Sequence, residues 1–263
     1  MSVIKSPAME DLKKSFESWS IVSYMALSDM KARYKRSVLG PLWITLGTAI
    51  GSVGLGLLWS ELLKVDAKTF VPTLTAGLII WQLVSGVITE SCSLYGRQAS
   101  IIRNMNLPLG IHPMQLLCRH LINFAHNIPV FILLALALGV PVNANTLLFI
   151  PGLLLVALNL CWICMVVSIL GARFRDFEHI VSTVIPLLMF VSPVFYRPAY
   201  LPFSQNIIWA NPLSYFIEII RDPLMGVAPP MFVIQVNLLM LVVGWIGAVW
   251  LFNKKHNRIA FWI

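Results

Sequence analysis

Charge is scarce in this sequence. Only 11% of its 263 residues are Asp, Glu, Lys or Arg, where a soluble domain carries roughly 25%. With 58% hydrophobic residues and a mean hydropathy of +0.82, a fold in water would expose far too much apolar surface. No G-x-x-x-x-G-K-[ST] occurs, so the chain has no backbone phosphate cradle of its own. There is no H-E-x-x-H, no Ser/His/Asp cluster and no carboxylate pair placed for acid–base work, and the five histidines are scattered. The four cysteines are Cys92, Cys118, Cys161 and Cys164. The C-x-x-C at 161–164 lies inside an apolar run without a His or acidic neighbour, so it reads as packing rather than as metal or disulfide chemistry. Residues 1–20 lack the apolar core of a cleavable signal peptide. Acidic and basic residues are nearly absent from the apolar runs; Glu61 and Glu90 stand only near their ends. Ion-driven transport usually leaves such groups at mid-membrane, so any work the chain does must draw its energy from elsewhere.

What is abundant is long apolar sequence. Six runs stand out, at about 39–60, 72–89, 121–140, 147–170, 180–194 and 231–252, most of them near the roughly 20 residues a crossing needs. The fifth is short and carries Pro186 and Pro193, so it is expected to kink or end early. The expectation is an all-α polytopic membrane protein with six transmembrane helices. A net charge of +8 suggests nucleic acid in a soluble protein; here the placement of the charges matters more. With the N-terminus inside, fifteen Lys and Arg fall on inner segments. Only Lys64, Lys68, Arg197 and Arg221 fall outside. That bias puts both termini in the cytoplasm. Residues 1–36 read as a cytoplasmic N-terminal segment and 37–263 as one membrane domain, without internal repeat or linker.

Four segments have further character. Between residues 10 and 30, Leu12, Phe16, Trp19, Val22 and Leu27 recur at helical spacing among Lys13, Lys14, Glu17 and Asp29. This pattern describes an amphipathic helix, either lying in the membrane interface with Trp19 as anchor or docked on a partner. Gly47, Gly51, Gly54 and Gly56 allow close helix approach in the first run, by general packing or at a homodimer face, and are expected to put that run inside the bundle. The inner segment 93–108 carries Leu94, Ile101, Ile102, Met105 and Leu107 at roughly helical spacing. It is either a docking knob for a soluble partner or a surface loop on its own domain. The outer segment 195–230 is rich in aromatics and prolines and too interrupted to span. A pair of short re-entrant or interfacial helices broken at Asn211-Pro212 fits it.

Lys31-Ala-Arg-Tyr-Lys-Arg-Ser-Val-Leu-Gly-Pro-Leu-Trp43 resembles the start of the ABC-2 type permeases for polysaccharide and polyol phosphate export. Ala172-Arg-Phe-Arg-Asp176 is similar to that family's A-R-[FY]-R-D. Ser192-Pro-Val-Phe-Tyr196 is similar to its S-P-V-x-Y, and Asn211-Pro-Leu-Ser-Tyr-Phe-Ile-Glu218 followed by Arg221 to its N-P-x-x-x-x-[IV]-[ED]…R. Ile101-Ile-Arg-Asn-Met-Asn-Leu-Pro108 resembles its loop after the second span, with Leu107 where Phe is common. The matches run in order from about residue 29 to 225.

The resemblance implies the transmembrane subunit of an ATP-driven exporter of a lipid-linked polysaccharide, such as an O-antigen-like glycan, in the bacterial inner membrane. It implies a homodimer paired with two copies of a nucleotide-binding subunit, which holds ATP and magnesium, while this chain binds no cofactor, metal or nucleic acid. It makes 94–108 the coupling helix, with Leu94, Arg97, Ile101, Ile102, Arg103, Met105 and Leu107 as docking residues. It makes Arg33, Tyr34, Lys35, Arg36, Leu39 and Gly40 the cytoplasmic mouth for a polyprenyl-pyrophosphate head group. Cationic side chains suit a diphosphate, and equally suit setting topology and holding anionic lipid. The helices at about 201–225 become an outer gate. Trp43, Phe195, Tyr196, Trp209, Tyr215 and Phe216 are candidate conduit rings for sugar faces, or anchors in an interfacial belt. Export of capsule or teichoic acid by the same family is the nearest alternative, an ABC-2 small-lipid or drug permease the next. A membrane enzyme would need clustered carboxylates that the sequence lacks.

Overall fold

The structure is a computed structural model, and it describes residues 7–35, 37–40, 42–196 and 205–263. The described residues are helical throughout, without strands. Five helices are long and apolar enough to cross a membrane: α3 (Leu42–Leu63), α4 (Ala67–Ser91), α7 (Ile111–Leu138), α8 (Phe149–Arg173) and α12 (Met231–Trp262). Between α8 and α12 lie α9 (Phe177–Val191), α10 (Gln205–Ala210) and α11 (Pro212–Leu224). α1 (Pro7–Glu17) and α2 (Trp19–Tyr34) precede the bundle, and α5 (Leu94–Arg97) and α6 (Ala99–Asn104) join α4 to α7.

α4 is the axis of the bundle. In its most apolar window 78% of residues are buried, against 17% in α3 and in α12. Its own hydroxyls ask nothing of its neighbours' backbones: Thr73, Thr75, Ser85 and Ser91 each donate to the carbonyl four residues back. Contacts between helices are made by a few amides instead. Gln82 on α4 joins Thr48 on α3 to Asn127 on α7, at 3.2 and 3.0 Å. Asn159 on α8 donates to Asn237 O on α12 at 3.2 Å, and Asn237 donates to Tyr215 O on α11 at 3.1 Å. In a medium as apolar as the side chains themselves, such bonds fix which helices sit together.

Three expectations are corrected. α3 does not pack inside the bundle: Leu42, Trp43, Ile50, Leu58 and Leu62 are exposed, and a side chain at Gly47, Gly51 or Gly54 would meet nothing within 4 Å. Only Gly56 is in close contact, against Val71 of α4. Hydropathy cannot tell a helix facing lipid from one facing protein, which is why the sequence misplaces it. The amphipathic segment is two helices, broken at Ser18. Val22, Ala26 and Met30 of α2 are buried, and α2 packs on α7, while Phe16, Trp19 and Leu27 are exposed. Finally, α7 begins at Ile111, about ten residues before its apolar run, because His112, Gln115, Arg119 and His120 are turned inward in its first turns.

α1 and the last turns of α12 lie at one end of the bundle, where His256 of α12 reaches Asp11 of α1. α12, at 32 residues, is about 48 Å long, well beyond a hydrocarbon layer of about 30 Å. Arg36, Pro41, Arg197 and residues 201–204, the first part of the expected gate, fall outside the described residues.

Candidate functional site

Charged side chains gather at the end where α1 meets α12, around Glu90 in the last turn of α4. Glu90 Oε2 pairs closely with Arg119 of α7 and lies 3.6 Å from Arg97 of α5. Its Oε1 lies 3.7 Å from Arg33 of α2 and 3.4 Å from His120 of α7. Arg97 also donates to the Glu90 carbonyl at 2.8 Å. Asp29 of α2 closes the set, 3.7 Å from Arg119 and accepting from Gln115 Nε2 at 2.7 Å. Four helices, α2, α4, α5 and α7, thus meet at two carboxylates and three guanidiniums. Arg119 is almost buried, with 12% of its side chain exposed, while Arg33 and Arg97 are about half exposed. The inner pairs hold the node together. The outer pairs are cheap to exchange, since half-exposed ion pairs are worth at most about 1 kcal/mol.

The expected mouth residues divide. Arg33 points into the node, Lys35 is exposed and Tyr34 is half-buried. Gly40 adopts φ +55°, a left-handed turn that suits glycine, and its N–H is accepted by the Ser37 hydroxyl at 3.0 Å. Ser37 and Gly40 therefore build the bend from α2 into α3. Leu39 is partly exposed and Trp43 more so.

The segment after α4 is rooted at its start. Leu94 is buried in the main core, and Tyr95 is fully buried in a second, smaller one, where burial pushes the Tyr95 phenol well above its ordinary pKa. Leu94 offers no docking surface, and Arg97 is engaged by Glu90. Ile102 and Leu107 are partly buried against the cores, and Ile101 is also half-buried. Arg103 and Met105 are exposed and give the segment its outer face.

At the opposite end, α11 is built into the body. Arg221 is wholly buried, pairs closely with Glu218, and donates to Pro193 O and, at 3.0 Å, to Tyr196 O. The Asn211 side chain accepts from Leu213 N at 3.0 Å, capping α11, and donates to Ser192 Oγ at 2.7 Å. The two outer motifs are thus one unit. The N-P…E…R helix supplies the donors that satisfy the backbone of the S-P-V-F-Y turn, where non-helical carbonyls near a membrane need partners. Gly77 lets α4 meet this turn: a Cβ there would lie 2.5 Å from Val194 O. Of the expected conduit rings, Phe195 stacks between Trp59 of α3 and Phe190 of α9, at 6.0 and 5.8 Å. The Tyr196 hydroxyl donates to Val191 O at 3.0 Å. Trp209 and Tyr215 cluster with Phe232. Phe216 is 1% exposed, in the core, so within one chain it lines nothing.

Sequence reasoning missed the roles of Glu90, Asp29 and Arg119 and the contact made by Trp59. The one available signal was an acidic residue at the end of an apolar run. Among the described residues no group of three or more His, Cys, Asp or Glu is placed to hold a metal.

An all-helical chain with five helices long and apolar enough to cross a membrane fits a multi-pass membrane protein. The chain belongs to the ABC-2 type transporter family, whose pattern matches residues 22–225; that family implies an ATP-binding partner. It is similar to the O-antigen export system permease protein RfbA of Klebsiella pneumoniae, at 26% identity over 88% of this chain and 90% of the relative. A second Klebsiella pneumoniae protein of that name is 27% identical over the same shares. The RfbA protein of Myxococcus xanthus is 26% identical over 64% of this chain and 65% of its own.

Proposed function

We propose that the chain is the membrane-spanning subunit of an exporter that moves a lipid-linked, O-antigen-like glycan across the bacterial inner membrane. The observation that carries this reading is the alignment, along 88% of the chain, with a permease named for O-antigen export. Two copies of the chain pair with two copies of a separate subunit, which binds ATP and magnesium and hydrolyses the nucleotide. The open Gly47, Gly51 and Gly54 face of α3 supports a second copy there.

The short α9 makes the sixth crossing. α8 ends at the end where α1 meets α12 and α12 starts at the other, so the chain must return between them. Lys and Arg crowd the end where α1 lies, which supports its assignment to the cytoplasm. Phe16, Trp19 and Leu27 then rest in the cytoplasmic interface. α10 and α11 dip in from the outer side as the gate, and Phe195 with Trp59 offers flat apolar faces to passing sugar rings. Arg33, Lys35 and Arg36 receive the anionic diphosphate at the cytoplasmic surface. Residues 99–105 receive the ATP-driven stroke, which the Glu90 node passes to α2, α4 and α7. The stroke works by favouring one of two membrane-domain arrangements when nucleotide is bound.

Reconstitution with the neighbouring ATP-binding subunit tests this. Lipid-linked glycan should cross only with ATP and an intact ATPase. Transport of a teichoic acid, of capsule or of a small lipid in its place would reassign the substrate. Changing Arg33, Lys35 and Arg36 to Gln together should lower export about ten-fold, in line with losing charge-assisted contacts, with insertion unchanged. Normal export by that variant would remove the head-group role.

A further inference from the structure

The carboxylate of Asp11 sits in the N-terminal helix but bonds to the root of another. Its Oδ2 accepts from Leu109 N and its Oδ1 from Gly110 N, both at 2.9 Å. These two N–H groups lie immediately before α7, a helix of 28 residues, so the anion sits near the positive end of the helix dipole. His256 Nε2, from the overhanging tail of α12, lies 3.1 Å from Oδ2. Ser15, fully buried, donates to the Asp11 carbonyl at 2.8 Å. The fit is tight: a Cβ on Gly110 would lie 2.7 Å from Ser15 Oγ and 3.2 Å from Asp11 Oδ1. Asp11 itself is only 8% exposed. Three stretches of chain, separated by 98 and 245 residues, thus close on one side chain.

Beneath this knot lies an apolar core separate from the main one. Leu12 of α1, Tyr95 of α5 and Leu109 pack there with Met165 and Ile169 of α8 and Phe252 of α12. The segment 98–108 therefore has two roots. One is Arg97 on the Glu90 node, leading into α2, α4 and α7. The other is Leu109-Gly110 on Asp11, leading through the second core into α8 and α12.

We propose that Asp11 is a positioning residue for power transfer, fixing the far root of the docking segment so that its displacement reaches α8 and α12 as well as α4 and α7. This rests on the reading of residues 99–105 as the surface that meets the ATP-binding subunit. With Asp11 in place, the segment is a beam held at both ends, and the N-terminal helix is part of the drive. Without it, the Leu109 and Gly110 N–H groups lose their acceptor and the segment can yield there instead of moving the bundle.

The experiment uses the full complex in proteoliposomes and measures glycan exported per ATP hydrolysed, with a Met105→Cys cross-link to the ATP-binding subunit measured alongside. In D11N the cross-link should form at the parent yield, while export per ATP falls about ten-fold, within the usual range of coupling between sites. In H256Q, which leaves both backbone bonds in place, it should fall about two- to three-fold. An absent cross-link in the otherwise unaltered chain would remove the docking reading and the role of Asp11 with it. A normal cross-link with unchanged export per ATP in D11N would remove the role of Asp11 alone. So would a cross-link that falls in step with export, since Asp11 would then serve assembly only. Should D11N fail to insert, H256Q decides, and unchanged export per ATP there overturns the proposal.

Discussion

At the end where α1 meets α12, Glu90 sits among Arg33, Arg97, Arg119 and His120, contributed by three other helices, and two of these partners are half exposed. At the other end a single wholly buried guanidinium, Arg221, meets one carboxylate and two backbone carbonyls within 28 residues of chain. The first arrangement has several partners for one anion and access to water, so one contact can open while another holds. The second has no spare partner and no solvent to replace one. Redundancy at one end suits a joint that transmits movement, and the absence of it at the other suits a mount that keeps α11 and the 192–196 turn together as one piece. The mount also clarifies the outer motifs, because Asn211 and Arg221 of one hold the Ser192 hydroxyl and the Pro193 and Tyr196 carbonyls of the other.

Breaking the mount should have the largest effect. Arg221→Leu leaves Glu218 and two carbonyls buried without their donor and should cost about 3–5 kcal/mol of stability, seen as a loss of folded protein in a detergent melt. Arg221→Leu with Glu218→Leu should recover part of that. Equal loss in both would mean the backbone bonds, not the ion pair, dominate. Glu90→Gln comes next. The partly exposed node should lose about 1–3 kcal/mol, with the melt shifted less than in Arg221→Leu and export per ATP reduced. A melt shift as large as that of Arg221→Leu would erase the contrast between the ends. Gly51→Ala, on the open face of α3, should change the melt of a single chain by no more than about 1 kcal/mol while lowering the dimeric fraction in size-exclusion light scattering. An unchanged dimer would move the contact to another face.

Much of the fold was legible because a crossing helix announces itself by length and apolarity, and the apolar runs fall on α3, α4, α7, α8, α9 and α12. The limits of those runs were less so. Residues 111–120 look like a loop, since His112, Gln115, Arg119 and His120 break the apolar run; they are helical because their polar groups face inward, where Gln115 and Arg119 reach Asp29 and Glu90 on other helices. Pairs such as Asp29 with Arg119 and Asp11 with Leu109 are set by packing across the bundle, and no local spacing encodes them. The outer motifs were visible as residues, but the use of Arg221 on the Pro193 carbonyl depends on how α11 lies against the end of α9. The peripheral place of α3 was illegible for a different reason. Lipid rewards the same side chains as a protein core, so an apolar helix carries no mark of which one surrounds it.

α12 outruns the hydrocarbon layer by about 18 Å as one unbroken rod. A change in its crossing angle of about 10° would swing its far end sideways by about 3 Å and the level of His256, about half-way along the overhang, by about 1.5 Å, enough to part a hydrogen bond. Since His256 touches Asp11, the inclination of the last crossing and the seating of the first helix are geometrically tied, and neither can alter without the other registering it.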